Sequence, residues 1–272
     1  MATRASGRGM PAVMTDATNG HRSRGRAVRI AAAGDIHCHE GNREETARAF
    51  ATLEDRADLV LLAGDLSTHG EPEQATVLAD AARDIDLPIF AVLGNHDWHV
   101  NRAPEFVAVL EDAGITVLER AHATPCVAGL EIGIVGAKGF VGGFPGSHLP
   151  DFGEPLLREV YAEGTRDVEA LEEGLRAVAH CAVRVVLLHY APTEQTLAGE
   201  PQTIWTMLGS DRLAGPIATH EPDLVLHGHA HAGRFEGAIG NVPVYNVSVP
   251  VMERDFWVFE VAGLQRSTAP VH

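Results

Sequence analysis

From residue 28 onward, short apolar runs alternate with stretches whose apolar positions recur at helical spacing. The runs at 28–34, 59–63 and 89–93 are almost continuously apolar, which predicts strands buried on both faces. Residues 42–56 place Ala47, Phe50, Ala51 and Leu53 along one helical stripe. Helices are also predicted over 72–85, where Pro72 suits a first turn, and over 104–113, where Gly114 suits the stop. This alternation implies right-handed crossovers and a largely parallel sheet. The middle of the chain changes character. Short strands at 115–118, 125–128 and 131–135 precede a Gly-rich stretch running from Lys138 through Phe140 and Phe144 to Gly146. A helix is predicted over 156–180, interrupted near Gly164, and strands at 183–188 and 224–226. Antiparallel strands come next at 235–239, 242–247 and 257–261, with Gly240-Asn241 as one turn. No repeat or linker divides 28–262, so one domain is expected, with two sheets packed face to face and helices outside.

The residues at the end of each apolar run carry the chemistry. The first run ends in Asp35-Ile36-His37, the second in Gly64-Asp65, and the third in Gly94-Asn95-His96-Asp97. The run at 183–188 ends in His189, and the run at 224–226 in His227-Gly228-His229-Ala230-His231. In α/β sheets, ligands bind outside the carboxyl ends of the strands. Strands ending this way would deliver Asp, Asn and His to one rim, with more donors than a single tetrahedral ion takes. Any one block alone is ordinary turn chemistry or a hydrogen-bonded core histidine. Turn chemistry does not account for the whole ordered set.

In this order the blocks resemble the calcineurin-like metallophosphoesterases, whose pattern is Asp-x-His, Gly-Asp, Gly-Asn-His-Asp/Glu, a single His and Gly-His-x-His. The matching positions span residues 35–231. The resemblance implies a four-layer α/β/β/α sandwich of two packed mixed sheets, a single domain over 28–262. It implies hydrolysis of phosphate esters assisted by two divalent or trivalent transition-metal ions. One ion is expected on Asp35, His37, Asp65 and His231, the other on Asp65, Asn95, His189 and His229. Asp65 would be shared, because a carboxylate can offer one oxygen to each. Imidazole and oxygen donors together suit Mn, Fe, Zn or Co better than Mg or Ca. His96 is no ligand in the family pattern; it resembles the residue that stabilises the transition state or protonates the leaving oxygen. Asp97 is expected either behind His96, orienting its ring, or as a plain turn residue. Lys138, Trp98 and His99 are candidate substrate contacts, although Lys138 fits a plain surface loop and Trp98 fits packing beneath one. Cys38, His39, His148 and His227 lie beside the blocks with no role in the pattern.

Charge and composition narrow the substrate. Acidic residues number 37 against 21 basic, a net charge of −16, which suits neither wrapping duplex nucleic acid nor docking on anionic membrane. The block after Gly64 reads Asp65-Leu66-Ser67-Thr68-His69-Gly70, without the Arg that protein Ser/Thr phosphatases carry there, and the third block ends in Asp97 rather than Glu. Both departures point toward a small, nucleotide-sized phosphodiester or phosphomonoester. A non-catalytic protein-binding scaffold on the same fold is the alternative from another class; it predicts missing ligand positions, and here all are present. A nucleic-acid phosphoesterase using the Arg-bearing N-terminus is a third and weaker reading. Residues 1–27 are expected to form a disordered basic tail and 263–272 a C-terminal tail. No apolar run reaches the length of a membrane span and no signal-type apolar region accompanies the N-terminal arginines, so a cytoplasmic protein without a membrane partner is expected. Three cysteines in a chain this large are expected as reduced thiols in or near the core. Oligomeric state is left open.

Overall fold

The computed structural model describes residues 26–264. The two expected tails therefore lie almost wholly outside the described residues.

The first sheet comes mostly from the N-terminal half. Strands β1 (Ala27–Ala33), β2 (Leu59–Ala63), β3 (Ile89–Val92) and β4 (Ile115–Val117) lie parallel in that order, and β14 (Trp257–Ala262) returns antiparallel along the free edge of β1. Helices α1 (Arg43–Ala51), α2 (Pro72–Arg83) and α3 (Ala103–Asp112) make the crossovers. The second sheet contains β5 (Ala121–Ala123), β6 (Cys126–Val127), β7 (Leu130–Gly136), β10 (Val183–Leu187), β11 (Leu224–His227), β12 (Glu236–Ile239) and β13 (Val242–Asn246). Its order is β12-β13-β11-β10-β7-β5, with β6 also pairing with β7. Strands β7, β10, β11 and β13 are mutually parallel; the outer strands are antiparallel. A small hairpin, β8 (Gly143–Phe144) and β9 (Ser147–His148), stands apart in the Gly-rich stretch. Helices α4 (Pro155–Ala177) and α6 (Ala214–His220) flank the second sheet, and short helices α5 (Trp205–Leu208) and α7 (Val249–Met252) lie in the connections.

The continuous apolar runs result from burial on both faces. In the second sheet, Ile132, Ile134, Val183, Val185, Leu187, Leu224 and Leu226 join the core shared with β1–β3. The alternating residues Val135, Val186 and Val225 pack instead with Leu171 and Leu175 of α4 and Ile217 of α6. Each fully buried aliphatic side chain contributes roughly 1.5–3 kcal/mol. The expected sandwich of mixed sheets with flanking helices is the observed architecture.

Three details differ from the sequence reading. The helix expected to break near Gly164 runs unbroken as α4, because one glycine costs a helix only about 1 kcal/mol. A Cβ at Gly164 would meet the Gly-rich loop and Arg212 at ordinary contact distance, with Val141 O at 3.6 Å and Arg212 Nη1 at 3.7 Å. Residues 190–222, to which the sequence assigns no element, fold into α5, α6 and several single-turn helices. Of the cysteines, Cys38 and Cys181 are buried but Cys126 is exposed. Among the described residues no helix is long and apolar enough to cross a membrane.

The two sheets meet at their carboxyl rims. Gly34 N–H donates to Val247 O at 2.8 Å, Asp35 N–H to Gly64 O at 2.9 Å, and Gly228 N–H to His189 O at 3.1 Å. The ends of β1, β2, β10 and β11 are thereby tied into one edge.

Candidate metal centre

Each motif turns sharply where its strand stops. Asp35, His37, Asp65 and His229 all have positive φ, at 58°, 49°, 49° and 71°. This left-handed region costs a non-glycine residue about 1–2 kcal/mol. Four such residues at the expected ligand positions indicate turns retained for where they aim side chains. Two motif glycines are required by close approach. A Cβ on Gly94 would stand 2.1 Å from Asp65 Oδ1, and one on Gly228 would stand 2.4 Å from Asp35 Oδ2.

The turns converge. Asp35, His37 and His231 bring ligand atoms within 4.8 Å of one another, and Asp65, His189 and His229 do the same. His231 Nε2 lies 2.9 Å from Asp35 Oδ1. His189 Nε2 lies 2.9 Å from Asn95 Oδ1 and 3.4 Å from Asp65 Oδ1. On the other side, Asp65 Oδ2 lies 4.0 Å from His37 Nε2 and 3.8 Å from His96 Nε2. Every expected ligand is thus at one rim, with Asp65 between the two groups.

Backbone carbonyls set the rings. With its Nδ1–H donated to Ala63 O at 2.9 Å, His189 turns its Nε2 lone pair toward Asn95 Oδ1 and Asp65 Oδ1. Three electron-pair donors facing one point is an arrangement that a cation satisfies. His229 donates Nε2–H to Met207 O at 3.1 Å, which leaves Nδ1 for a ligand. His96 donates Nδ1–H to Thr68 O at 2.8 Å and turns Nε2 into the cleft.

Electrostatics favour the same use. Burial pushes His189 and His229 down to about 4, so both rings are neutral donors near pH 7. Burial also raises Asp65, and the neighbouring Asp35 charge adds to the effect. Burial works against Asp35 ionisation too, but the hydrogen bond from His231 and the adjoining imidazoles outweigh it and hold the carboxyl at about 2. Two buried carboxylates beside the neutral rings of His189 and His229 are a donor set that fits divalent cations.

Asp97 corrects one expectation. It does not reach the His96 ring, which Thr68 O holds instead. Its buried carboxylate accepts from the N–H groups of Leu66 (3.1 Å), Ser67 (2.9 Å) and Gly94 (2.8 Å) and from Ser67 Oγ (2.7 Å). Asp97 therefore clasps the Asp65 turn to the Asn95 turn. Burial pushes this carboxyl up to about 7. Asp97→Ala strands buried donors at about 1–3 kcal/mol each. We expect denaturant unfolding to show a loss of roughly 3 kcal/mol or more; a loss below about 0.5 kcal/mol would remove the clasp.

The remaining candidates lie at the margins. His99 is exposed, its ring 4.4 Å from that of His96. Trp98 is 43% exposed, so it does not pack beneath a loop. Lys138 is the chain's single lysine. It is half-buried, its Nζ 4.4 Å from the Phe140 ring centroid and 5.2 Å from that of Tyr190, and it donates to Gly139 O at 3.2 Å. Burial lowers its pKa, opposed by Asp167 and Glu119. Tyr190, which the sequence reading passed over, lies 4.5 Å from the His229 ring and joins Lys138 to the second group. Its only sequence signal is its place directly after His189. His227 is fully buried, bonded to Thr196 Oγ1 at 2.9 Å, and His148 pairs with Asp211 at 2.8 Å. His39 accepts from Gly41 N–H at 3.0 Å, and Cys38 lies 3.9 Å from Thr46 Oγ1.

Comparison with known proteins agrees with this architecture. A family model described as calcineurin-like phosphoesterase matches residues 28–233. The structure of phosphopantetheinyl hydrolase from Mycobacterium tuberculosis is similar, with TM-score 0.60, 17% identity, and 89% of this chain and 98% of that chain covered. TT1561 of Thermus thermophilus matches with TM-score 0.54 and 18% identity over 86% of this chain and 99% of that one. GAP50, the anchor in the inner membrane complex of Plasmodium, matches with TM-score 0.56 and 14% identity over 87% and 78%. At such identities the structural likeness speaks for the fold alone. The family match covers most of the chain and includes every motif block, so the chain belongs to the calcineurin-like phosphoesterases, hydrolases of phosphate esters.

Proposed function

We propose that the two groups form a two-metal centre that hydrolyses a small phosphodiester or phosphomonoester of nucleotide size. The observation that carries this reading is the Asp65 carboxylate, which turns Oδ1 toward His189 and Oδ2 toward His37. In this assignment Asp35, His37, Asp65 and His231 hold one ion, and Asp65, Asn95, His189 and His229 hold the other. Bound Mn, Fe, Zn or Co would supply Lewis acidity toward a phosphoryl oxygen and lower the pKa of water from 15.7 toward about 7.

The protein's own groups do the rest. His96, its Nδ1–H fixed on Thr68 O, carries a proton at Nε2 toward the leaving oxygen. Asp97 keeps the two turns in register. His99 borders the cleft beside His96, and with the exposed Trp98 next to it in the chain it would offer an aromatic edge to a base or ring. Lys138 brings a positive charge beside the second group. The acidic balance and the absence of an Arg in the block after Gly64 favour a small substrate over phosphoprotein or nucleic acid. A cytoplasmic setting agrees with the thiols, and the family domain is read as 28–262 between two tails.

A panel of phosphomonoesters, linear and cyclic phosphodiesters, a phosphopeptide and single-stranded DNA, assayed with the Mn-loaded protein, tests the proposal. Turnover concentrated in the small esters is expected. Exclusive turnover of phosphopeptide or DNA would overturn the substrate class, and no turnover of any ester with two bound metals would favour the scaffold reading. For Lys138→Ala, KM is expected to rise about tenfold or more, the worth of one hydrogen bond to a charged group, with a smaller change in kcat. Unchanged KM and kcat would remove Lys138 from the substrate site.

A further inference from the structure

A second cluster of metal-type ligands lies at the opposite end of the second sheet. Glu131 opens β7, and His180 and Cys181 sit in the turn that enters β10. His180 Nε2 lies 3.5 Å from Glu131 Oε1 and 3.8 Å from Cys181 Sγ. All three ligand atoms fall within 4.8 Å of one another. Zinc bonds of about 2.0–2.3 Å at tetrahedral angles place neighbouring ligand atoms roughly 3.3–3.7 Å apart. The observed separations are close to that spacing before any ion draws the groups together.

A fourth candidate donor is the backbone neighbour of Glu131, although its sulfur lies outside the 4.8 Å group. Cys126 is paired directly with Glu131 across β6 and β7. Ala128-Gly129 closes that hairpin, and Ile132 N–H donates to Pro125 O at 2.9 Å, so the pair between these bonded positions is a non-hydrogen-bonded one. Side chains of such a pair share one face of the sheet and approach closely. Cys126 is exposed, so its thiol can swing toward Glu131.

We propose that Glu131, His180 and Cys181, completed by Cys126, bind a zinc-class cation that fastens the β6–β7 hairpin to the α4–β10 turn. Thiolate donors select borderline-soft ions such as zinc over magnesium or calcium, and each coordinating thiol releases its proton to solvent on binding. Along β10, His189 lies roughly 25 Å from Cys181, so this site is separate from the catalytic rim and does not depend on its assignment.

Cobalt titration of the full-length protein tests the proposal, because thiolate-to-cobalt charge transfer gives an absorption that imidazole and carboxylate ligands do not. No cysteine belongs to the catalytic groups, so the band reports this site. The band is expected in the wild type and in Cys38→Ser, lost in Cys181→Ser and His180→Ala, and weakened in Cys126→Ser. Zinc per chain should fall by one equivalent in His180→Ala, whose side chain is exposed, with diester turnover within twofold of wild type. Absence of the band in the wild type, or its persistence in both His180→Ala and Cys181→Ser, would overturn the site. Should Cys181→Ser fail to fold, His180→Ala decides alone.

Discussion

Asp65→Ala is expected to lower turnover of an activated phosphodiester by roughly 10³-fold or more and to release bound metal, with the fold retained. The size of the loss comes from position. Among the described residues, Asp65 is the one whose carboxylate faces both groups, so its removal weakens two ligand sets together. It also accepts from His96 N–H at 2.8 Å, so the turn carrying His96 loses an anchor. The metal-free fold is less affected. Burial raises the Asp65 pKa and the neighbouring Asp35 charge adds to it, so removing the carboxylate relieves a desolvation cost and a like-charge contact. The left-handed φ of 49° is tolerated less well by Ala than by Asn, which makes Asp65→Asn the better control for folding. Metal content by mass spectrometry and single-turnover kinetics read the two losses separately. Wild-type turnover in Asp65→Ala would sink the two-metal assignment.

A different signature is expected of His96→Ala: metal content equal to wild type, and kcat lower by about 10²–10⁴-fold, the usual range for a positioned acid or base. The ring is held from behind by Thr68 O and flanked by His37 and His99, with centroids at 4.7 and 4.4 Å. That orientation serves proton delivery to a leaving oxygen, so the deficit should shrink for esters whose leaving groups depart without protonation. A series of aryl phosphodiesters of rising leaving-group pKa reads this dependence. The competing possibility is geometric, because His96 Nε2 also groups with His37 and Asp65 as a potential ligand set. If His96→Ala loses metal as Asp65→Ala does, His96 is a ligand and its role as acid falls.

The Asp97 result shows where residue type stops being informative. An aspartate next to His96 invites the reading of a ring-orienting carboxylate, yet its oxygens are taken by the N–H groups of Leu66, Ser67 and Gly94. The carbonyl that does orient the ring belongs to Thr68, as those for His189 and His229 belong to Ala63 and Met207. Every residue carries a carbonyl, so no side-chain pattern singles these out. Gly164 makes the same point for the fold: residue type suggests a break, but one glycine costs a helix only about 1 kcal/mol and α4 stays whole within its packing.

The sequence by itself determined the strand-and-helix alternation, the burial of the strands on both faces and the chemical kind of each donor at each strand end. These are properties of neighbouring residues, expressed through period and residue type. Tertiary structure alone decided that Asp65 faces both groups, that three distant carbonyls aim three imidazoles, and that Glu131, His180 and Cys181 meet at the far rim. Those facts depend on the register between strands as far apart in the chain as Ala63 and His189, which the packing of the two sheets sets and no local pattern encodes.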